Sequence, residues 1–155
     1  MSSDDYDESD VATFERALAL RDDGDVLGAI RVLEELTRRR PKKASVAGVL
    51  AGLLKDVGDL ERAVYHARRA VALAPKSDLG SRVLLHVLIG LKDVDGAFRE
   101  VARFRTIKGS VEYDRLLVEW ENDTLRALDE APLDPFLNRL LNAVREEVKR
   151  RPIRQ

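Results

Sequence analysis

A shift of 34 residues lays this chain on itself. Leu20 falls on Leu54 and Leu88, Asp25 on Asp59 and Asp93, and Ala29 on Ala63 and Ala97. Two-fold identities add Ala17/Ala51, Gly24/Gly58 and Pro41/Pro75 in the same phase. Apolar equivalence continues through Val26/Leu60/Val94, Ile30/Val64/Phe98 and Leu33/Ala67/Val101. Self-similarity at this period leaves few folds open. One such unit cannot bury its apolar face alone, so neighbours must stack to share a core.

The second unit shows why each repeat reads as two helices. Val46, Val49, Leu50, Leu53 and Leu54 recur at helical spacing up to Gly58. Glycine enters the left-handed region after a helix at little cost, and Asp59 can cap the next one. Leu60, Ala63, Val64, Ala67, Ala70, Val71 and Leu73 then line one face before Pro75. Ala63 and Ala70 lie two turns apart, where methyl groups permit close helix approach. Proline biases Ala74 away from helix and ends the unit.

This pattern resembles the tetratricopeptide repeat family, in which small residues lie at helix crossings, glycine at the turn and proline after the second helix. Those roles fall on Ala17/Ala51, Gly24/Gly58, Ala29/Ala63/Ala97, Ala70 and Pro41/Pro75. The resemblance covers Asp10 to about Val111 as three units, 10–43, 44–77 and 78–111. The third departs most: Lys92 stands at the turn glycine, Gly109 at the proline and Leu85 at the small position. Thr13, Ala47 and Ser81 occupy an early position where the family often has tryptophan. The resemblance implies an all-α, right-handed α-solenoid of antiparallel helix pairs.

After Val111 the period fails, but helical spacing does not. Leu116, Leu117, Trp120, Leu125 and Leu128 mark one helix, with Trp120 expected to pack. Asp134 can cap a second whose first residue is Pro135. That last helix gathers Phe136, Leu137, Leu140, Leu141, Val144 and Val148 on one side. An open solenoid needs its final apolar face covered, so residues 112–151 are expected to form a C-terminal cap. The alternative is a partner-binding or oligomer face. Residues 1–9 are acidic and expected to be disordered, and 152–155 form a tail.

The family's geometry places first helices along a concave groove. It assigns Val11, Phe14, Leu18 and Arg21 to the first row, and Ser45, Gly48, Gly52 and Lys55 to the second. Leu79, Arg82, His86 and Ile89 form the third. Three helices packed side by side span roughly 20–30 Å, room for a short extended peptide or two to three helical turns. Phe14 and Leu79 would supply apolar contact, although Phe14 taken alone reads as core before anchor. Arg21, Lys55 and Arg82 would orient acidic groups. Glycines at 48 and 52 each cost roughly 1 kcal/mol in a helix. Either a ligand occupies the space or neighbouring helices pack tightly there. One subgroup of the family grips a terminal carboxylate with Lys, Asn, Asn, Lys and Arg. The matching positions here are Phe14, Leu18, Val49, Leu79 and Val83, so that clamp is missing.

Other function classes find little support. With 27 basic and 28 acidic residues the net charge is −1, and no aromatic platform accompanies the basic runs 38–43 and 145–154. Nucleic acid is therefore an unfavoured partner; dipole-complementing helix ends explain the same residues. No cysteine supports thiol chemistry or a cysteine-ligated metal. His66, expected outside, and His86, expected in the groove, fall on different units and do not make a metal site. Nucleophile-elbow, phosphate-loop and His-Glu-x-x-His motifs are missing, so neither catalysis nor a cofactor is expected. The acidic start lacks a secretory pattern, and the apolar run 44–54 is too short to span a membrane. The expected location is the cytoplasm. The expected function is a noncatalytic interaction module for a peptide or helix of another protein, as an adaptor or a small secretion-type chaperone. The alternative is a structural subunit assembling through the Phe136–Val148 face.

Overall fold

Eight α-helices account for most of the described residues, which are 7–107, 109 and 111–153 of the computed structural model. They are α1 (Glu8–Asp22), α2 (Val26–Arg39), α3 (Ala44–Asp56), α4 (Leu60–Leu73), α5 (Asp78–Gly90), α6 (Val94–Ile107), α7 (Val111–Glu130) and α8 (Pro135–Arg150). No strand occurs among the described residues. The second helices α2, α4 and α6 start 34 residues apart, in the phase of the sequence repeat.

One local motif sets that phase. At the end of α1 the Gly24 amide donates to Arg21 O (3.0 Å) and the Asp25 amide to Leu20 O (2.9 Å). Gly58 and Asp59 repeat the pair onto Lys55 and Leu54, and Lys92 and Asp93 repeat it onto Ile89 and Leu88. These paired bonds satisfy the last carbonyls of each first helix. Each aspartate then turns round and caps the next helix. Its side chain accepts from the amide three residues on, in Gly28 (2.9 Å), Arg62 (3.2 Å) and Gly96 (2.9 Å). The turn residue must adopt positive φ, which is 90° at Gly24, 84° at Gly58 and 60° at Lys92. Lysine thus holds the glycine's conformation, and the third turn keeps the shape of the other two.

The chain divides into two compact units after Val87, within α5. In the first, α1 packs on α2, α2 on α3, and α3 on α4. Its core joins Ala17, Ala29, Ile30, Leu33 and Leu36 to Val46, Leu50, Leu53, Leu54, Ala63 and Val87. Ala29 and Ala63 are fully enclosed, as small residues at helix crossings must be. The acidic start is held in place as well. Asp7 caps α1 in a reciprocal capping box with Asp10. Residues 7–9, expected to be disordered, are therefore the cap and first turn of a helix; 1–6 lie outside the described residues. Asp10 is itself buried and accepts from Arg40 Nε at 2.5 Å. That hydrogen bond holds its carboxyl below the usual carboxylate range.

The second unit closes α6 with α7 and α8. Phe104 stacks on Tyr113 at 4.5 Å between centroids, and Phe98 meets Trp120 at 5.9 Å. Asp134 caps α8 by accepting from the Leu137 amide, with Pro135 in the first turn. Buried Arg105 pairs with Glu147 (3.0 Å) and Asp114 (3.0 Å) and donates to the Arg151 carbonyl (2.8 Å). One guanidinium on α6 thereby ties α7, α8 and the residue after α8 together.

Two outcomes test these contacts. Lys92→Gly relieves the left-handed backbone and raises unfolding free energy by up to about 1 kcal/mol in chemical denaturation. For Asp10 the folded pKa is depressed, so its contribution is complete above the unfolded value of about 3.9 and is lost as pH falls through the lower folded value. Asp10→Asn should lower the melting temperature at neutral pH and give a shallower fall of stability with acid than the parent shows.

Candidate functional site

Five of the groove residues expected from the sequence come together in the first unit. Gly52, Lys55, Leu79, Arg82 and His86 line a cavity of about 230 Å³ between α3 and the first turns of α5. Asp56 and Val83 complete its wall. Neither was picked out for the groove from sequence, although both follow from its helical register: Asp56 follows Lys55, and Val83 lies one turn after Leu79.

Close helix approach builds the cavity. A Cβ on Gly80 would stand 3.0 Å from the Ala70 methyl and 3.2 Å from its carbonyl carbon, so only glycine lets α5 lie this near α4. A Cβ on Gly48 would meet Leu79 at 3.3 Å and Ala70 at 3.8 Å. Gly48 is therefore a packing glycine. Gly52, one turn further along α3, has nothing within 4 Å of the space a Cβ would take. Its bare backbone is the cavity floor, and packing does not require it.

Polar groups ring that floor. Lys55 Nζ lies 3.1 Å from Asp56 Oδ1, an ion pair in the wall that leaves the ammonium further donors. His86 Nδ1 lies 2.7 Å from the Arg82 carbonyl. A carbonyl only accepts, so the proton is on Nδ1 and Nε2 is the other polar atom of the ring. Leu79 is 38% exposed and, with Val83, supplies the apolar side of the cavity. Such a site can hold one side chain bearing a short apolar stem and an anionic head.

The other expected groove residues are placed differently. Phe14 is half-buried against the core of the first unit. Leu18 is half-buried, Val11 and Ser45 are exposed, and Arg21 pairs with Asp22 at 2.8 Å. None of these lines the cavity, nor does Gly48. Ile89 belongs to the second unit and is half-buried.

The tertiary structure also places three other groups of residues. The basic run 38–43 is committed internally: Arg38 pairs with Glu35 (2.6 Å), and Arg39 and Arg40 converge on Asp10 (3.8 and 2.5 Å). In the C-terminal run, Arg145 pairs with Glu121 (3.0 Å) and Arg151 with Glu147 (3.3 Å). The proposed oligomer face on α8 is largely spent within the chain. Val144 is fully enclosed, Leu140 and Leu141 are 7% exposed, and Phe136, Leu137 and Val148 are half-buried, with α8 packed on α6 and α7. His66, on the second helix α4, lines a depression between α2 and α4, with Nδ1 enclosed and unpartnered among the described residues. Burial, followed by Arg69 and Arg62, lowers its pKa. Among the described residues no group of three or more His, Asp or Glu side chains is arranged to hold a metal, and no helix is long and apolar enough to cross a membrane.

No protein-family model matches the chain, and no curated protein matches it in sequence. Solved structures do match in fold. MamA, residues 41 to the end, from Desulfovibrio magneticus RS-1 superposes with a TM-score of 0.62 at 16% identity, covering 94% of this chain and 88% of that one. The Sgt2 TPR domain from Aspergillus fumigatus gives 0.62 at 13% identity, over 92% and 81%. A tetratricopeptide repeat protein from Parabacteroides merdae gives 0.64 at 15% identity, over 92% of this chain and 62% of its own. The chain has the tetratricopeptide-repeat fold. At these identities the neighbours establish helix arrangement, and the side chains of the α3–α5 cavity are this chain's own.

The two glycines of α3 separate by substitution. Gly52→Ala should raise unfolding free energy by about 1 kcal/mol, the helix-propensity gain, because the methyl meets nothing. Gly48→Ala should gain less or lose stability, because its methyl presses on Leu79. Urea denaturation of both variants measures the contrast.

Proposed function

We propose that this protein is a noncatalytic interaction module, and that the α3–α5 cavity receives an acidic side chain or a terminal carboxylate of a partner's peptide. The observation that carries this reading is Gly52. Glycine within a helix costs stability, and here no neighbour repays it, whereas an approaching ligand backbone or head group would use the space. Lys55 and Arg82 around that floor match an anion, and Leu79 and Val83 match the methylene stem that carries it. A cavity of this size is one specificity pocket, so the rest of the peptide must run along neighbouring surface. Affinity is then expected in the weak to moderate range of small interfaces. An adaptor or a small chaperone is the role such a module serves. The C-terminal face gives no comparable support to a structural subunit, because α6 and α7 already cover much of it.

A display library of short peptides tests the reading. Sequences with a Glu, an Asp or a free C-terminus next to an apolar residue should be enriched on the parent protein. Gly52→Leu with Arg82→Glu fills the floor and reverses one wall charge. It should cut binding by at least about tenfold, near 1.4 kcal/mol, while helical content stays unchanged. Enrichment of basic peptides, or unchanged affinity in the folded double variant, would rule out this use of the cavity.

A further inference from the structure

Hairpin register exposes a second surface. On α3, Ala47, Leu50 and Leu54 are each no more than 2% exposed, with α2 packed on that helix. The residues 34 positions earlier on α1 are Thr13, Arg16 and Leu20. No hairpin precedes α1 among the described residues. Thr13 and Leu20 are only half-buried and Arg16 is exposed. They border an open depression of about 510 Å³ that Asp25, Gly28, Arg31, Val32, Glu35 and Arg39 complete; its two carboxylates are engaged, Asp25 in capping α2 and Glu35 in pairing with Arg38.

Arg16 decides what can cover this edge. It stands where Leu50 and Leu84 are buried in the later hairpins. An apolar helix laid there would strip water from a guanidinium without replacing it, which is strongly unfavourable. A helix bringing carboxylates beside its apolar residues avoids that cost. Neither Arg16 nor Arg31 has an ion-pair partner among the described residues, so both are available to such a helix.

The chain carries a helix of that kind. In α7 the residues Val111, Val118 and Leu125 are 68%, 44% and 39% exposed. They recur every seven residues, so they form a seam on one side of the helix. Tyr113, Leu117 and Thr124 bury the other side. The helix holds seven acidic residues against two arginines. Glu119 and Asp129, on the outer side, have no ion partner among the described residues. The apolar seam and unpaired acids on α7 thus complement Leu20, Val32 and the unpaired arginines on the first hairpin.

We propose that the protein self-associates head to tail, the outer face of α7 in one copy covering the open edge of α1 and α2 in a second copy. The two surfaces differ, so the contact is heterologous and propagates into a ring or an open chain. It does not use the α3–α5 cavity and stands or falls separately from peptide binding.

Sedimentation of the full chain tests it. At low salt the average mass should rise with protein concentration, and added salt should reverse the rise, because the pairing charges are exposed. Arg16→Glu with Arg31→Glu, and separately Glu119→Arg with Asp129→Arg, should each weaken association by at least about tenfold. Both variants alter exposed side chains and should melt like the parent. Mixing the two variants should restore association, since each then offers the other a matching charge. A parent that stays monomeric over the whole concentration range overturns the proposal. So does association that neither variant weakens, or a mixture that remains monomeric.

Discussion

The aspartate turn is the constraint on which the rest of the structure depends. Asp25, Asp59 and Asp93 each end one helix through the backbone amide and start the next through the side chain. A side-chain cap contributes about 1 kcal/mol, a small part of the stability of a domain. Its larger effect is geometric. By fixing where each second helix begins, the turn brings Ala29, Ala63 and Ala97 to the crossings, where all three are fully enclosed. A bulkier residue there would force the helices apart, and the leucine layers on either side would lose contact.

The second unit is closed by different means. Beside its aromatic pairs it holds a buried guanidinium that reaches α7, α8 and the chain beyond α8. Burying such charges contributes little net stability, because their desolvation offsets the pairing. Removing one partner would nevertheless strand the other, so the network tolerates few alternative dockings of α8. The same packing consumes most of the apolar stripe that, read as an isolated helix, looks free for another protein.

Much of the fold was legible because it is written in local residues at a fixed period. Turn glycine, capping aspartate, crossing alanine and terminating proline act within a few residues of themselves, so a one-dimensional shift finds them. Lys92 shows the strength of that phase: a poor residue for left-handed backbone still adopts it when the flanking helices demand it. The candidate site was less legible. Gly48 and Gly52 are the same residue one helical turn apart, and nothing local distinguishes them. Leu79 and Ala70, distant in sequence, make the first a packing glycine and leave the second open. The arginines at 38–40 likewise read as cations at a helix end, and only Asp10 and Glu35 show what they pair with.

By itself the sequence determined an all-helical chain of hairpins, the places where they turn and the small residues at which they cross. These follow from backbone conformation and hydrogen bonding within single turns. Only the tertiary structure decided which glycine floors a cavity, which arginines are already neutralised and which apolar stripe remains exposed. Those properties depend on what a distant segment brings to within a few ångströms, and the repeat period carries no record of that.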